Sequence, residues 1–190
     1  MGTASLNGLA EQVIASASAT GLRASIVRVG QLSGGLNGFW NAKEWLPSLI
    51  QASNVLKKIS EDERLVTWIP LDMASRAITD LLHTSTSLST SVDVPDVLHL
   101  VHPNPVSWTN FARSPNASTL DLNAFVLLDF FKIIPTQIDR RDTEAFGMPL
   151  LAMEKAPRQC QSLKESATRA LGEEDIQLWV NYWQKAGMFA

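Results

Sequence analysis

The sequence predicts an α/β fold, and three observations carry that reading. Near the N-terminus a helical pattern, a glycine and a β-branched run follow one another. Two further short apolar runs alternate with helical spacing, which is the rhythm of a mostly parallel sheet. An amphipathic helix closes the chain. At 190 residues the chain suits one domain of ordinary size.

Taken in order, Leu9, Val13 and Ile14 give residues 7–19 one apolar helical face, and Gly21 stops it. ASIVRV at 24–29 reads as a buried strand. A glycine-rich loop follows, GQLSGGLNGFWN, and then a helix through Trp45, Leu46, Leu49 and Ile50, with Pro47 in its first turn. Val55, Leu56 and Ile59 suggest a second short helix. LVTWI at 65–69 is the next strand, ended by Pro70, and Asp72 is placed to cap the following helix (Met73, Ala77, Ile78, Leu81, Leu82). The Ser/Thr-rich stretch 84–91 reads as an exposed loop and VLHLV at 97–101 as a third strand. Beyond it, 106–119 reads as irregular and 122–134 as an apolar helix. Residues 135–158 read as loop, and Leu163, Ala167, Ala170 and Leu171 as a weaker helix. Glu173, Glu174 and Asp175 open the last helix, where the dipole favours acids, and Ile176, Trp179, Val180 and Trp183 form its stripe.

Composition narrows function. A net charge of −3 gives no basic excess for phosphates, so no nucleic-acid partner is expected. No apolar run is long enough for a membrane span, and no secretory signal is visible, so neither a membrane nor an export route is expected. The single cysteine, Cys160, excludes an internal disulfide and a cysteine-based zinc site, and points to the cytoplasm. No metal site is expected.

Hydrolase chemistry lacks its G-x-S-x-G elbow. His99 and His102, three apart on or beside a strand, point to opposite faces and make no natural pair, and His83 ends a helix. The loop from Gly30 to Gly38 follows a strand, a good ligand position, yet it has neither G-x-G-x-x-G nor a Walker lysine. Trp40, Trp45, Trp68 and Trp108 read first as core. Glu61, Asp62 and Glu63 read as a solvated acidic run.

Several stretches together carry a resemblance. RVGQLSGGLNGFWNAKEWLPSLI, VTWIPLDMASRAITDLL, VLHLVHPNPVSW, VLLDFF and EEDIQLWVNYWQKAGM, in that order, resemble the C-terminal part of the reductase domain of fungal non-ribosomal-peptide-synthetase-like enzymes. That family comprises extended short-chain dehydrogenase/reductases, related to carboxylic acid reductases and the male sterility reductases. The resemblance covers most of the chain, apart from about 109–124, where the family has a longer segment. It implies a truncated Rossmann-like unit bearing late sheet strands (1–105) and a small helical substrate-binding portion (106–190). In such enzymes hydride from NADPH releases an acyl thioester from a carrier protein as aldehyde or alcohol. An acyl carrier protein or a small acyl substrate is therefore the implied partner, and secondary metabolism the implied setting.

The family's catalytic pair is Tyr-x-x-x-Lys. The same alignment puts Thr3 at the tyrosine position and Asn7 at the lysine position, so no catalytic residue is expected here. Threonine is a far weaker acid, and asparagine carries no charge. The dinucleotide-binding half has no counterpart in the sequence, so NADP binding by this chain is not expected. Val29, Gly30 and Gln31 match the segment beside nicotinamide, and Trp40 and Trp45 match the start of the substrate-binding part. The expectation is a degenerate reductase half without redox activity of its own. Two alternatives stand beside it. One is a non-redox enzyme that cyclises or condenses an acyl thioester, using His99, His102 or Asp72. The other is a subunit completing a separate Rossmann half, whose absence would leave a sheet edge and an apolar face open.

Overall fold

The structure, a computed structural model, describes residues 2–56, 62–85, 95–109, 143–164 and 168–189. Helix α1 spans Gly2–Ala19, α2 Trp45–Leu56, α3 Leu71–Ser85, α4 Ala156–Gln159 and α5 Glu173–Lys185. The strands are β1 (Ser25–Val29), β2 (Leu32–Ser33), β3 (Leu65–Val66), β4 (Ile69–Pro70), β5 (Asp96–Leu100) and β6 (Val106–Ser107). The expected helix at 122–134 and the end of the one through Ile59 lie outside the described residues, as does most of the Ser/Thr-rich stretch.

The expected strands at 24–29 and 97–101 form the principal ladder. β1 and β5 pair in parallel, with Ile26 opposite Val97 and Val29 opposite Leu100. Short β2 and β4 also pair in parallel, while β3 and β6 pair antiparallel. LVTWI is not one strand but two. Its middle residue, Thr67, gives its N–H to the Glu144 carboxylate (3.1 Å) and its C=O to the N–H of His102 (2.9 Å). With both groups taken by other segments, the ladder breaks there.

Two apolar clusters hold these pieces. Ile69, Leu98 and Leu100 from the sheet pack on Met73, Ala74, Ala77 and Leu81 of α3, closed by Ala156, Cys160 and Leu163. The second cluster is aromatic. All six tryptophans meet in it, with Trp40 against Trp179 at 4.7 Å between centroids and Trp68 against Trp108 at 5.7 Å. The α5 stripe read from the sequence is the stripe it buries.

Three local expectations are corrected. Asp72 does not cap α3: it lies inside the first turn and pairs with Arg76 at 2.8 Å. The described residues of 163–171, which exclude 165–167, form no α-helix. Leu163 belongs to the α3 cluster and Leu171 to the aromatic one, so no single helical stripe can serve both. The turn at Gln161–Leu163 is 3-10, and Asn104 binds the Thr168 carbonyl at 2.8 Å.

The third correction concerns α1. Leu9 and Val13 do not face the body of the protein: they are 58% and 62% exposed. The side facing inward carries Glu11, Ile14 and Ser18, with Ser18 buried. Glu11 holds Arg28 of β1 through two hydrogen bonds of 2.9 and 2.7 Å.

Candidate site at the ends of the parallel strands

The chain leaves β1 through Val29, Gly30 and Gln31 at the C-terminal end of the parallel ladder. Gly30 donates its N–H to Leu100 O at 2.9 Å. A Cβ there would lie 2.4 Å from Cγ1 of Val101, so only glycine permits this approach. Gln31 accepts the N–H of Ile69 at 2.9 Å, which ties β1 to the β4 segment.

The side chain of Gln31 joins the two tryptophans singled out by the sequence. Its Oε1 accepts the indole N–H of Trp45 at 2.6 Å. Its Nε2 donates to Leu32 O at 2.7 Å and, at 3.4 Å, to Oε2 of Glu44. The same Glu44 oxygen accepts the indole N–H of Trp40 at 2.9 Å. Val29 is exposed nearby, whereas Trp40 is buried. The structure thus brings Gln31, Trp40 and Trp45 into one network centred on Glu44. Sequence reasoning did not name Glu44, although its place four residues after Trp40 and just before a helix was visible.

Behind this network lies a second carboxyl group that sequence reasoning missed. Glu144 is 4% exposed and accepts both the N–H and the hydroxyl of Thr67. Burial raises its pKa, and the two Thr67 hydrogen bonds only partly oppose that. Next to it, Phe146 sits at a positive φ of 65°, its ring against Trp45 and Trp108 and its N–H on Asp62 at 3.2 Å. Asp62 also binds Arg64 at 2.6 Å. Asp62 is therefore part of a half-buried clasp, not of a solvated run. Burial pushes its pKa up, but Arg64 and the N–H groups it accepts outweigh this and leave it lowered.

Glu144 gives a signed expectation. Its folded-state pKa lies above the ordinary 4.5, so the folded state holds the proton more tightly than the unfolded chain. The group costs nothing at pH below 4.5, and stability falls as pH rises from there through the raised value. Glu144→Gln keeps an acceptor for Thr67 and removes the titration. Thermal melts from pH 5 to about 8 should show the variant gaining on the parent as pH rises. A constant difference across that range would contradict this.

The remaining candidates do not converge. His99 sits on β5 with Nδ1 3.1 Å from Ala152 O. His102 is buried and takes the N–H of Asn104 on Nδ1 at 3.0 Å; burial lowers its pKa and keeps it neutral. Asp72 lines a cleft of about 780 Å³ between α3, the 161–162 turn and the start of α5. That cleft is lined by none of Val29, Gly30, Gln31, Trp40, Trp45, His99 and His102. Cys160 is buried against Ala77 O, its thiol pushed up to about 11, which leaves no nucleophile at neutral pH.

At Gly34 and Gly38 the glycine-rich loop is packed against the protein itself, although Gly34, Gly35 and Leu36 also line that cleft. A Cβ on Gly34 would lie 2.4 Å from Nε1 of Trp179, and one on Gly38 2.1 Å from Leu178 O. These glycines admit α5, not a phosphate. With Gly30 pressed on Val101, the three glycines do not fit a dinucleotide, and no step through nicotinamide follows from the described residues.

The fold has solved counterparts. The terminal reductase domain of the myxalamid polyketide synthase–peptide synthetase pathway superposes with a TM-score of 0.67 at 18% identity, covering 95% of this chain and 48% of that one. A thiolation-reductase di-domain from an archaeal non-ribosomal peptide synthetase gives 0.62, covering 96% and 46%. An adenylate-forming reductase of Heterobasidion annosum is 32% identical over 90% of this chain and 18% of its own length. Over most of its length the chain is similar to part of the adenylate-forming reductases, and it shares the fold of terminal reductase domains. An adenylate-forming reductase from Serpula lacrymans is 29% identical over 95% of the chain and 19% of its own length. No family model matches. The chain spans under a fifth of the length of these curated relatives and about half of the solved chains. Among the described residues no helix is long and apolar enough to cross a membrane.

Proposed function

We propose that this chain is the substrate-side part of a thioester reductase domain and that, by itself, it transfers no hydride. The observation that carries the reading is α1, a helix that contains both Thr3 and Asn7. Those positions, one helical turn apart, match the family's tyrosine and lysine. Threonine cannot act as the proton donor that tyrosine provides, and asparagine supplies no charge to lower a neighbour's pKa or hold a ribose. The crowded glycines at 30, 34 and 38 support the same reading from the cofactor side.

The division into 1–105 and 106–190 assigns the Gln31 network to the sheet portion and α5 to the substrate portion. Gln31 and Trp45, both half-buried, are the groups in reach of an acyl substrate, while Trp40 positions Glu44 from the core. An acyl chain carried on a thiolation domain is the substrate class, and NADPH the reductant of the complete unit. The solved archaeal di-domain joins a thiolation and a reductase domain in one protein.

The test is an absorbance assay of NADPH with an acyl thioester of pantetheine. The purified chain should leave NADPH unoxidised. Thioester-dependent oxidation would overturn the reading.

A further inference from the structure

We propose that Glu44 selects the acyl group, by holding an ammonium on it against the open oxygen of its carboxylate. This rests on the reading above, in which Gln31 and Trp45 face an acyl substrate. It names the class of that substrate: an acyl chain that carries a protonated amine.

Three observations carry it. First, Glu44 is half-buried yet lacks a cation. Glu11, Asp62, Asp72, Asp96 and Asp175 each hold an arginine or lysine at 2.9 Å or less. Among the described residues Glu44 has no such partner. A carboxylate drawn partly out of water is ordinarily paired. Here it meets neutral donors alone, the Trp40 indole N–H at 2.9 Å and the Gln31 amide at 3.4 Å.

Second, both donors use one oxygen. Trp40 and Gln31 reach Oε2, and among the described residues no side-chain hydrogen bond reaches Oε1. A carboxylate accepts at two oxygens, with about four lone-pair sites. The two bonds therefore fix the group in place and leave Oε1 open. A charged donor makes a bond roughly twice as strong there as a neutral one.

Third, the surroundings suit an organic cation rather than a metal ion. Among the described residues no three His, Cys, Asp or Glu side chains gather to hold a metal. The amide nitrogen of Gln31 is committed to Leu32 O and Glu44, and the indole N–H of Trp45 to Gln31 Oε1. What half-buried Trp45 has left to offer is carbon surface, which suits methylenes and, at a ring face, an ammonium. A purely apolar acyl chain would cover Oε1 without pairing it, and a site built around a polar partner rejects the analogue that lacks it.

The test compares two pantetheine thioesters of equal length, β-alanyl, which ends in an ammonium, and butanoyl, which ends in a methyl. Calorimetry on the 190-residue chain should show the β-alanyl ester binding at least ~10-fold more tightly. Raising salt from about 0.05 to about 0.5 M should narrow that preference, a readout that needs no variant. Glu44→Gln keeps an oxygen for the Trp40 N–H and removes the charge, so the ratio of the two affinities should fall to within ~2-fold of unity. Equal binding of the two esters by the parent would overturn the proposal and leave the acyl-site reading standing. A preference that survives high salt, or that a folded Glu44→Gln chain retains, would overturn it as well. Failure of both esters to bind up to about 1 mM, the upper end of ordinary substrate affinities, would overturn the acyl-site reading and the proposal with it. NADPH oxidation by the chain alone bears on the redox reading and leaves the ratio untouched.

Discussion

Gly38→Ala should cost about 3 kcal/mol or more. A left-handed backbone costs an alanine about 1–2 kcal/mol, and overpacking adds about 1–3. Gly38 has φ +77°, and its added Cβ would meet the Leu178 carbonyl oxygen at 2.1 Å and carbon at 2.5 Å. Both atoms belong to the backbone of α5, so neither can rotate away. The helix would have to lift, and it carries Trp179, Val180 and Trp183 into the aromatic core. Gly35→Ala is the internal control. Its nearest neighbour would be Oδ1 of Asn37 at 3.7 Å, an ordinary contact, so its effect should stay below about 1 kcal/mol. Urea unfolding of both variants measures the contrast. Equal midpoints for the two would mean that the loop and α5 do not pack in this way.

Trp40→Ala should cost about 3–5 kcal/mol, the usual range for emptying a buried tryptophan site. Trp40 is 3% exposed and touches Trp68, Trp179 and Trp183. Its carbonyl accepts the Trp183 indole N–H at 3.0 Å, so the loop and α5 are joined by a hydrogen bond as well as by rings. Trp40→Phe separates two roles. It keeps most of the apolar volume but removes the donor to Glu44, which in turn holds Gln31. The phenylalanine variant should therefore lose about 1–2 kcal/mol, with loosened order at Trp45 visible as a fluorescence shift. If Trp40→Ala unfolds at the same urea concentration as the parent, the aromatic cluster is not the centre of this fold.

The elements most legible in the sequence were those whose pattern is local. The β1 and β5 strands are β-branched or apolar runs bounded by breakers, and α5 carries its acids, its stripe and its stop within one segment. What the sequence hid depends on contacts between distant segments. LVTWI breaks because of Glu144, which lies 77 residues beyond Thr67. Leu163 and Leu171 match a helical spacing yet serve two different cores. Leu9 and Val13 mark an apolar face correctly, but periodicity cannot say on which side of the helix the rest of the protein lies. At the candidate site, Gln31 (expected beside nicotinamide) and Trp40 with Trp45 (expected beside substrate) were legible as two separate sets through the family resemblance. Their linkage was not, since a glutamate before a helix ordinarily reads as a solvated residue. The glycines of the 30–38 loop show why composition alone misleads. A phosphate and a neighbouring helix make the same demand on the backbone, and only the position of α5 distinguishes them.

The central claim is that this chain, on its own, does not hold a nicotinamide dinucleotide. Six tryptophans clustered beside the Gln31 network supply a direct signal. Titrating the purified chain with NADPH and following tryptophan emission should give no saturable change up to about 1 mM, the upper end of ordinary enzyme–substrate affinities. Saturable quenching in the micromolar range would contradict it and would show that residues of this chain form a cofactor site after all.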